Sequence, residues 1–169
     1  MDLKLLVLDV DGTMTDGGIY YDDHGNETKK FAIKDGAALM LAHAAGMQIM
    51  ICTGRECPAV AKRASELKVD YLFQNVKNKK DFLADFMQQH GLESRNVAYC
   101  GDDLNDLAAM SLCGFVACPA DACCEVRQRA DYICPQKGGE GAVRGTVEKI
   151  LRTAGCWQQA VHTAFGCTV

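Results

Sequence analysis

Short apolar runs alternate along the chain with stretches of helical periodicity, and most of the runs end in small or polar residues. Leu5 to Leu8 leads into Asp9, Met47 to Cys52 into Thr53-Gly54-Arg55, and Asn96 to Cys100 into Gly101-Asp102-Asp103. Val69 to Phe73, Phe115 to Ala117 and Tyr132 to Cys134 complete the set of expected strands. Helices are expected at Gly36–Ala45, Pro58–Leu67, Lys80–His90, Asn105–Leu112, Asp121–Arg129 and Ala142–Ala154. Continuous apolar strands separated by helices predict an α/β fold, a Rossmann-like parallel sheet covered by helices on both faces. Ligands of such sheets bind outside the carboxyl ends of the strands, where the polar clusters fall.

One segment interrupts the alternation. Ile19-Tyr20-Tyr21, a turn at Asp22 to Asn26 and then Glu27 to Ile33 predict a β-hairpin over residues 16–33, inserted after the first strand. Residues 1–154 are expected to form one domain, with 155–169 a loosely held C-terminal tail.

The net charge of −4 opposes a nucleic-acid partner, which calls for a basic stripe, but leaves room for a small anionic substrate. No run approaches the length of a membrane helix, and the N-terminus lacks the basic and small-residue features of a signal peptide, so the expected location is cytoplasmic. The ten cysteines include no Cys-x-x-Cys, which removes the usual pattern of a structural zinc site. Most are expected to be small buried hydrophobes.

Three motifs carry chemistry. In Asp9-Val10-Asp11-Gly12-Thr13, residues two apart at a strand end address the same side, so both carboxylates can meet one ligand. A metal ion that bridges carboxylate and phosphate reduces their repulsion, which suits Asp9 to in-line attack on phosphorus and Asp11 to proton transfer. An ordinary strand-to-turn junction also uses Asp and Gly. Thr53-Gly54-Arg55 offers a hydroxyl, backbone N–H groups and a guanidinium for phosphate oxygens, or simply a turn. In Gly101-Asp102-Asp103-Leu104-Asn105-Asp106 the carboxylates repel one another unless a cation is present, and an all-oxygen set favours Mg²⁺. Acids at a helix N-terminus are the plainer alternative, and both hold if Asp102 is a ligand and Asp106 a cap. Among Lys77, Lys79 and Lys80 the segment alone does not single out one ammonium.

In combination and order these motifs resemble the haloacid dehalogenase superfamily of phosphatases, from about Leu5 to Arg144. The resemblance implies Asp9 as nucleophile, Asp11 as general acid/base, Thr53 as phosphate ligand and Lys79 as the motif lysine. It implies Mg²⁺ held by Asp9, Asp102 and the Asp11 backbone carbonyl, with Asp103 and Asp106 supporting. Gly138 to Arg144, together with the lack of space for a cap domain between Thr13 and Thr53, is similar to the capless subgroup of 3-deoxy-D-manno-octulosonate 8-phosphate phosphatases. That likeness implies a homotetramer whose neighbouring subunit closes the site, and substrate contacts from Gly54, Arg55 and Arg144. Gly145 departs from the subgroup, which has Glu there. The expected substrate is the octulosonate 8-phosphate, with a nine-carbon nonulosonate 9-phosphate as the alternative. A phospho-receiver and an inactive scaffold of the same fold are the readings from other classes, and catalytic turnover separates both from a phosphatase.

Overall fold

The computed structural model describes residues 2–169, and its centre is β1 (Leu5–Leu8), every residue of which is buried. Parallel neighbours flank it on both sides, β4 (Gln48–Cys52) in the register Leu5↔Gln48 and β6 (Val97–Cys100) in the register Leu5↔Val97. β5 (Tyr71–Phe73) extends the sheet beyond β4, while β7 (Phe115–Cys118) and β8 (Tyr132–Ile133) extend it beyond β6. The order β5-β4-β1-β6-β7-β8 is a six-stranded parallel sheet.

Side chains alternate across the sheet, which divides the core in two. Leu6, Leu8, Ile49 and Ile51 join one layer with buried residues of α1 (Ile33–Ala44), α2 (Pro58–Glu66) and α6 (Ala142–Thr153). Leu5, Val7, Met50 and Tyr99 join the other with α3 (Lys79–His90), α4 (Leu104–Met110) and α5 (Cys124–Arg129). Both faces being covered is why the strands read as unbroken apolar runs. Six of the ten cysteines are buried and all are free, in keeping with their use as small hydrophobes.

The inserted hairpin is shorter than its sequence segment. Only β2 (Tyr20–Tyr21) and β3 (Glu27–Thr28) pair, antiparallel, and an isolated bridge joins Thr15 to Phe31. Ile33 belongs to α1, which starts three residues earlier than its apolar pattern suggests because its N-cap is Ala32, without a capping side chain.

The C-terminal stretch differs from its expectation as a loose tail. Trp157–Phe165 forms a further helix, α7, with Ala160 and Val161 buried in the core layer of α1 and α6. The guanidinium of Arg152 lies 4.3 Å from the Trp157 ring centroid and ties α7 to α6. The stripe Trp157, Ala160, Val161, Ala164 is a helical one, bracketed by Gly155 and Gly166.

Candidate active site

Asp9 follows β1 directly and is nearly buried, its N–H donating to the Cys100 carbonyl of β6 at 3.0 Å. The chain then folds into a tight loop in which the N–H groups of Thr13, Met14 and Thr15 all donate to the Val10 carbonyl, at 3.2, 2.9 and 3.0 Å. Gly12 has φ +93° in this loop, and a Cβ there would collide with Asp102 Oδ2. Glycine is therefore required twice over, by backbone conformation and by the carboxylate packed against it. Thr13 Oγ1 donates to Asp102 Oδ1 at 2.8 Å and joins the ends of β1 and β6.

Of the three lysines that the local segment leaves open, one is buried among the acids, and it is the one that the family resemblance implies. Lys79 is 3 % exposed, and its ammonium donates to Asp9 Oδ1 at 2.5 Å and to Asp106 Oδ1 at 2.7 Å. Lys77 instead donates to the Gly54 carbonyl at 2.7 Å, and Lys80 faces solvent. Asn78 is the N-cap that makes Lys79 the first residue of α3, its Oδ1 accepting from Asp81 N at 3.2 Å.

Asp9, Asp102 and Asp106 each bring a carboxylate oxygen within 4.8 Å of the others. Three acids share one ammonium, and their acidities register the imbalance. Burial first, then repulsion from Asp106, pushes Asp9 up to about 6 despite Lys79. Burial and the charge of Asp9 push Asp102 up to about 7. Burial also works against the Lys79 ammonium, but Asp9 and Asp106 more than offset it and hold Lys79 above its ordinary range.

The donor set fits a divalent cation of the Mg²⁺ class: it is all oxygen and short of positive charge. Asp106 is the acid least suited to bind it. Its Oδ1 accepts from Lys79 and from the Tyr99 hydroxyl at 2.7 Å, and its Oδ2 from the N–H groups of Asp102 and Asp103 at 3.1 and 3.4 Å. Asp106 is thus an organiser of the loop, and Asp9 and Asp102 are the carboxylates suited to a cation. Asp103 is the N-cap of α4, its Oδ1 accepting from Leu104 N at 2.8 Å.

A cavity of about 390 Å³ opens over this cluster, lined by Asp9, Asp11, Thr53, Gly54, Arg55, Asp103, Leu104 and Asn105. The expected residues from the ends of β1, β4 and β6 therefore converge. Arg144 is not among them. It lies on α6 in a separate cleft with Lys34 and Lys149, its Nε donating to Glu148 Oε1 at 2.5 Å. Gly145 next to it has a packing reason, since a Cβ would meet Cys134 Sγ and come within 2.9 Å of Gln136 Oε1.

Two residues of the hairpin stand outside the motifs yet reach the site. Lys29 pairs with Asp11 Oδ1, and Glu27 Oε2 accepts from Arg55 Nη2 at 2.6 Å. Glu27 is on β3 and Lys29 just after it, two residues apart, and that spacing is the only local signal they carry. Tyr99 also stands outside the motifs, because its apolar strand reads as core.

Comparison with known proteins gives this geometry a context. The family model described as haloacid dehalogenase-like hydrolase matches residues 6–77 and 72–144. The 3-deoxy-D-manno-octulosonate 8-phosphate phosphatase of Escherichia coli (strain K12) is 36% identical over 159 residues, covering 94% of this chain and 85% of that protein. The crystal structure of the Moraxella catarrhalis 3-deoxy-D-manno-octulosonate 8-phosphate phosphatase, in complex with magnesium, phosphate and KDO, superposes with a TM-score of 0.91. It is 36% identical, over 96% of this chain and 93% of its own. The cobalt-bound deoxy-D-mannose-octulosonate 8-phosphate phosphatase of Haemophilus influenzae gives a TM-score of 0.87 at 32% identity, over 95% and 92% of the two chains.

Proposed function

The chain belongs to the haloacid dehalogenase-like hydrolases, in the family of 3-deoxy-D-manno-octulosonate 8-phosphate phosphatases, and on that premise we propose that it hydrolyses this phosphate monoester through a phospho-aspartyl intermediate on Asp9. The observation that carries the reading is the buried Lys79 ammonium shared between Asp106 and Asp9, the acid that lines the open cavity. It orients one oxygen of Asp9 and leaves the other for bond formation.

Asp9 attacks phosphorus in line while Thr53, Gly54 and Arg55 hold the phosphoryl oxygens and the anionic substrate. As the bond from phosphorus to the sugar oxygen breaks, Asp11 gives its proton to the leaving oxygen. Asp11 then takes a proton from water, the water oxygen bonds to phosphorus, the bond to Asp9 breaks and orthophosphate leaves. Asp9, Asp102 and the Asp11 carbonyl would hold Mg²⁺, which when bound neutralises charge between nucleophile and phosphate. Lys79 keeps Asp9 oriented, and Tyr99 and the loop N–H groups keep Asp106 in place beneath it.

Residues 2–154 and α7 form the catalytic unit in this reading, and the enzyme works in the cytoplasm as a homotetramer. The exposed Ile19, Tyr20 and Tyr21 of the hairpin support association. Among the described residues no helix is long and apolar enough to cross a membrane.

The test is phosphate release with Mg²⁺ over a panel of sugar phosphates that includes eight- and nine-carbon keto acids. The expected result is preference for the octulosonate 8-phosphate, loss of turnover in EDTA and its return with Mg²⁺. Preference for a nine-carbon acid would keep the chemistry and change the substrate, and no turnover on any phosphate would overturn the reading. Asp9→Asn is expected to cost at least about 10³-fold in kcat with an unchanged circular dichroism spectrum.

A further inference from the structure

Four charged side chains run in file along the lip of the cavity: Asp11, Lys29, Glu27 and Arg55. Lys29 Nζ donates to Asp11 Oδ1 and lies 2.7 Å from Glu27 Oε1. Glu27 Oε2 accepts from Arg55 Nη2 at 2.6 Å. Asp11 and Arg55 line the cavity from the ends of β1 and β4, whereas the two residues joining them come from the hairpin, on and just after β3.

The burial of its central ammonium, Lys29, is what sets this file apart from an ordinary surface pair. The Lys29 side chain is 0% exposed, while that of Lys30, one residue on and facing the other way, is 59% exposed and reaches only Asp16 at 3.8 Å. Removing an ammonium from water is costly unless its partners offset it. Lys29 has two such partners, and they link it to the acid/base on one side and to the phosphate loop on the other. The same hairpin leaves Ile19, Tyr20 and Tyr21 in solvent, so within one chain its attachment to the site is ionic more than apolar.

We infer that Lys29 and Glu27 are positioning residues of the reaction. Lys29 holds the Asp11 carboxyl group over the place of the leaving oxygen. Glu27 holds one edge of the Arg55 fork and so presents the rest of the guanidinium to an anionic group of the substrate. The two roles predict different kinetic signatures, since misplacing the acid/base slows chemistry on every phosphate ester, whereas releasing Arg55 weakens binding of a substrate that carries an additional negative charge.

This inference rests on the phosphatase reading, and the experiment separates the two. kcat and KM are measured with Mg²⁺ on the octulosonate 8-phosphate and on p-nitrophenyl phosphate, which has no carboxylate. The proteins compared are the parent, Lys29→Met, Lys29→Arg, Glu27→Gln and, as a control on the exposed face, Lys30→Met. Lys29→Met is expected to lower kcat at least about 30-fold on both substrates with KM within about threefold, and Lys29→Arg to recover most of that loss. Glu27→Gln is expected to raise KM for the sugar acid about tenfold more than for p-nitrophenyl phosphate. Lys30→Met is expected to behave as the parent.

Equal losses in Lys29→Met and Lys30→Met, matched by equal falls in thermal midpoint, would reduce the file to a structural clip and overturn the inference. So would an unchanged kcat in Lys29→Met, or a Glu27→Gln effect of the same size on both substrates. If Lys29→Met fails to fold, Lys29→Gln carries the same comparison. A parent enzyme that prefers another phosphate ester would revise the substrate and leave the Lys29 comparison on p-nitrophenyl phosphate readable. A parent inactive on both would refute the phosphatase reading itself.

Discussion

Asp35, in the first turn of α1, is 3 % exposed, and its one hydrogen bond is to a single oxygen, Oδ1, which accepts from the Arg144 N–H at 2.8 Å. Its other oxygen is buried and has no partner among the described residues. Burial pushes this carboxyl group up to about 6, only partly countered by the Arg144 N–H and the nearby cations. A carboxyl group that holds its proton more tightly folded than unfolded opposes folding once it ionises. The penalty is absent near pH 3, grows as pH rises from about 4 to 6, and is constant above that. Asp35→Asn is therefore expected to stabilise the protein by about 2–3 kcal/mol at pH 8 and by little at pH 4, as read by urea denaturation at the two pH values. Such single-residue consequences depend on partners far along the chain, and so does legibility. Asp9, Asp11 and Asp102 could be read because each motif is contiguous and its polar residues end an apolar run. The segment around Lys79 leaves three lysines open, because burial is what distinguishes it, and only the order of motifs along the chain singles it out. Lys29 and Glu27 could not be read, because nothing local states that a hairpin folds back on the strand before it. Arg144, a substrate contact by the likeness to the capless subgroup, lines a cleft separate from the cavity of Asp9.

The parallel strands were legible as elements because burial on both faces makes each a continuous apolar run. Helix starts were less so. α1 and α5 begin after Ala32 and Cys123, neither of which caps the helix with its side chain, whereas α2 begins where expected, at Pro58, a residue suited to a first helical turn. α7 lies in the segment expected to be a tail although its apolar stripe is regular, since nothing local in nine residues states which surface that stripe would cover. It covers the layer formed by α1 and α6, with Ala160 and Val161 at the contact. Removing residues 155–169 is expected to cost about 3–5 kcal/mol, through exposed core and the lost stacking of Arg152 on Trp157. A lower urea midpoint in the truncated chain checks this, and an unchanged midpoint would restore the view of these residues as a tail.

For the molecule as a whole, the open cavity and the apolar hairpin belong to one design. Among the described residues no inserted domain covers the site, and Tyr21, 65% exposed, lies with Ile19 and Tyr20 on the hairpin that carries Lys29 and Glu27. If these residues are a contact between copies, association and catalysis are linked through the hairpin. The double substitution Ile19→Ser with Tyr21→Ser is expected to shift sedimentation toward the monomer and to raise KM for the sugar phosphate. Sedimentation velocity at matched concentrations provides the check, and a variant that remains fully associated would place the contact elsewhere.

The strand order also governs how the chain is made. β1 emerges first from the ribosome yet is flanked by β4 and β6, which follow in two instalments. After Cys52 has been added, β1 can pair on one side only, and its second neighbour is not complete until Cys100. At ordinary translation speeds that interval is about 2–10 s. During it the nascent chain carries a half-paired apolar strand, a surface that binds chaperones or other nascent chains. Synonymous codon changes between these two points, which alter the length of the pause and nothing in the finished protein, would thus alter its yield.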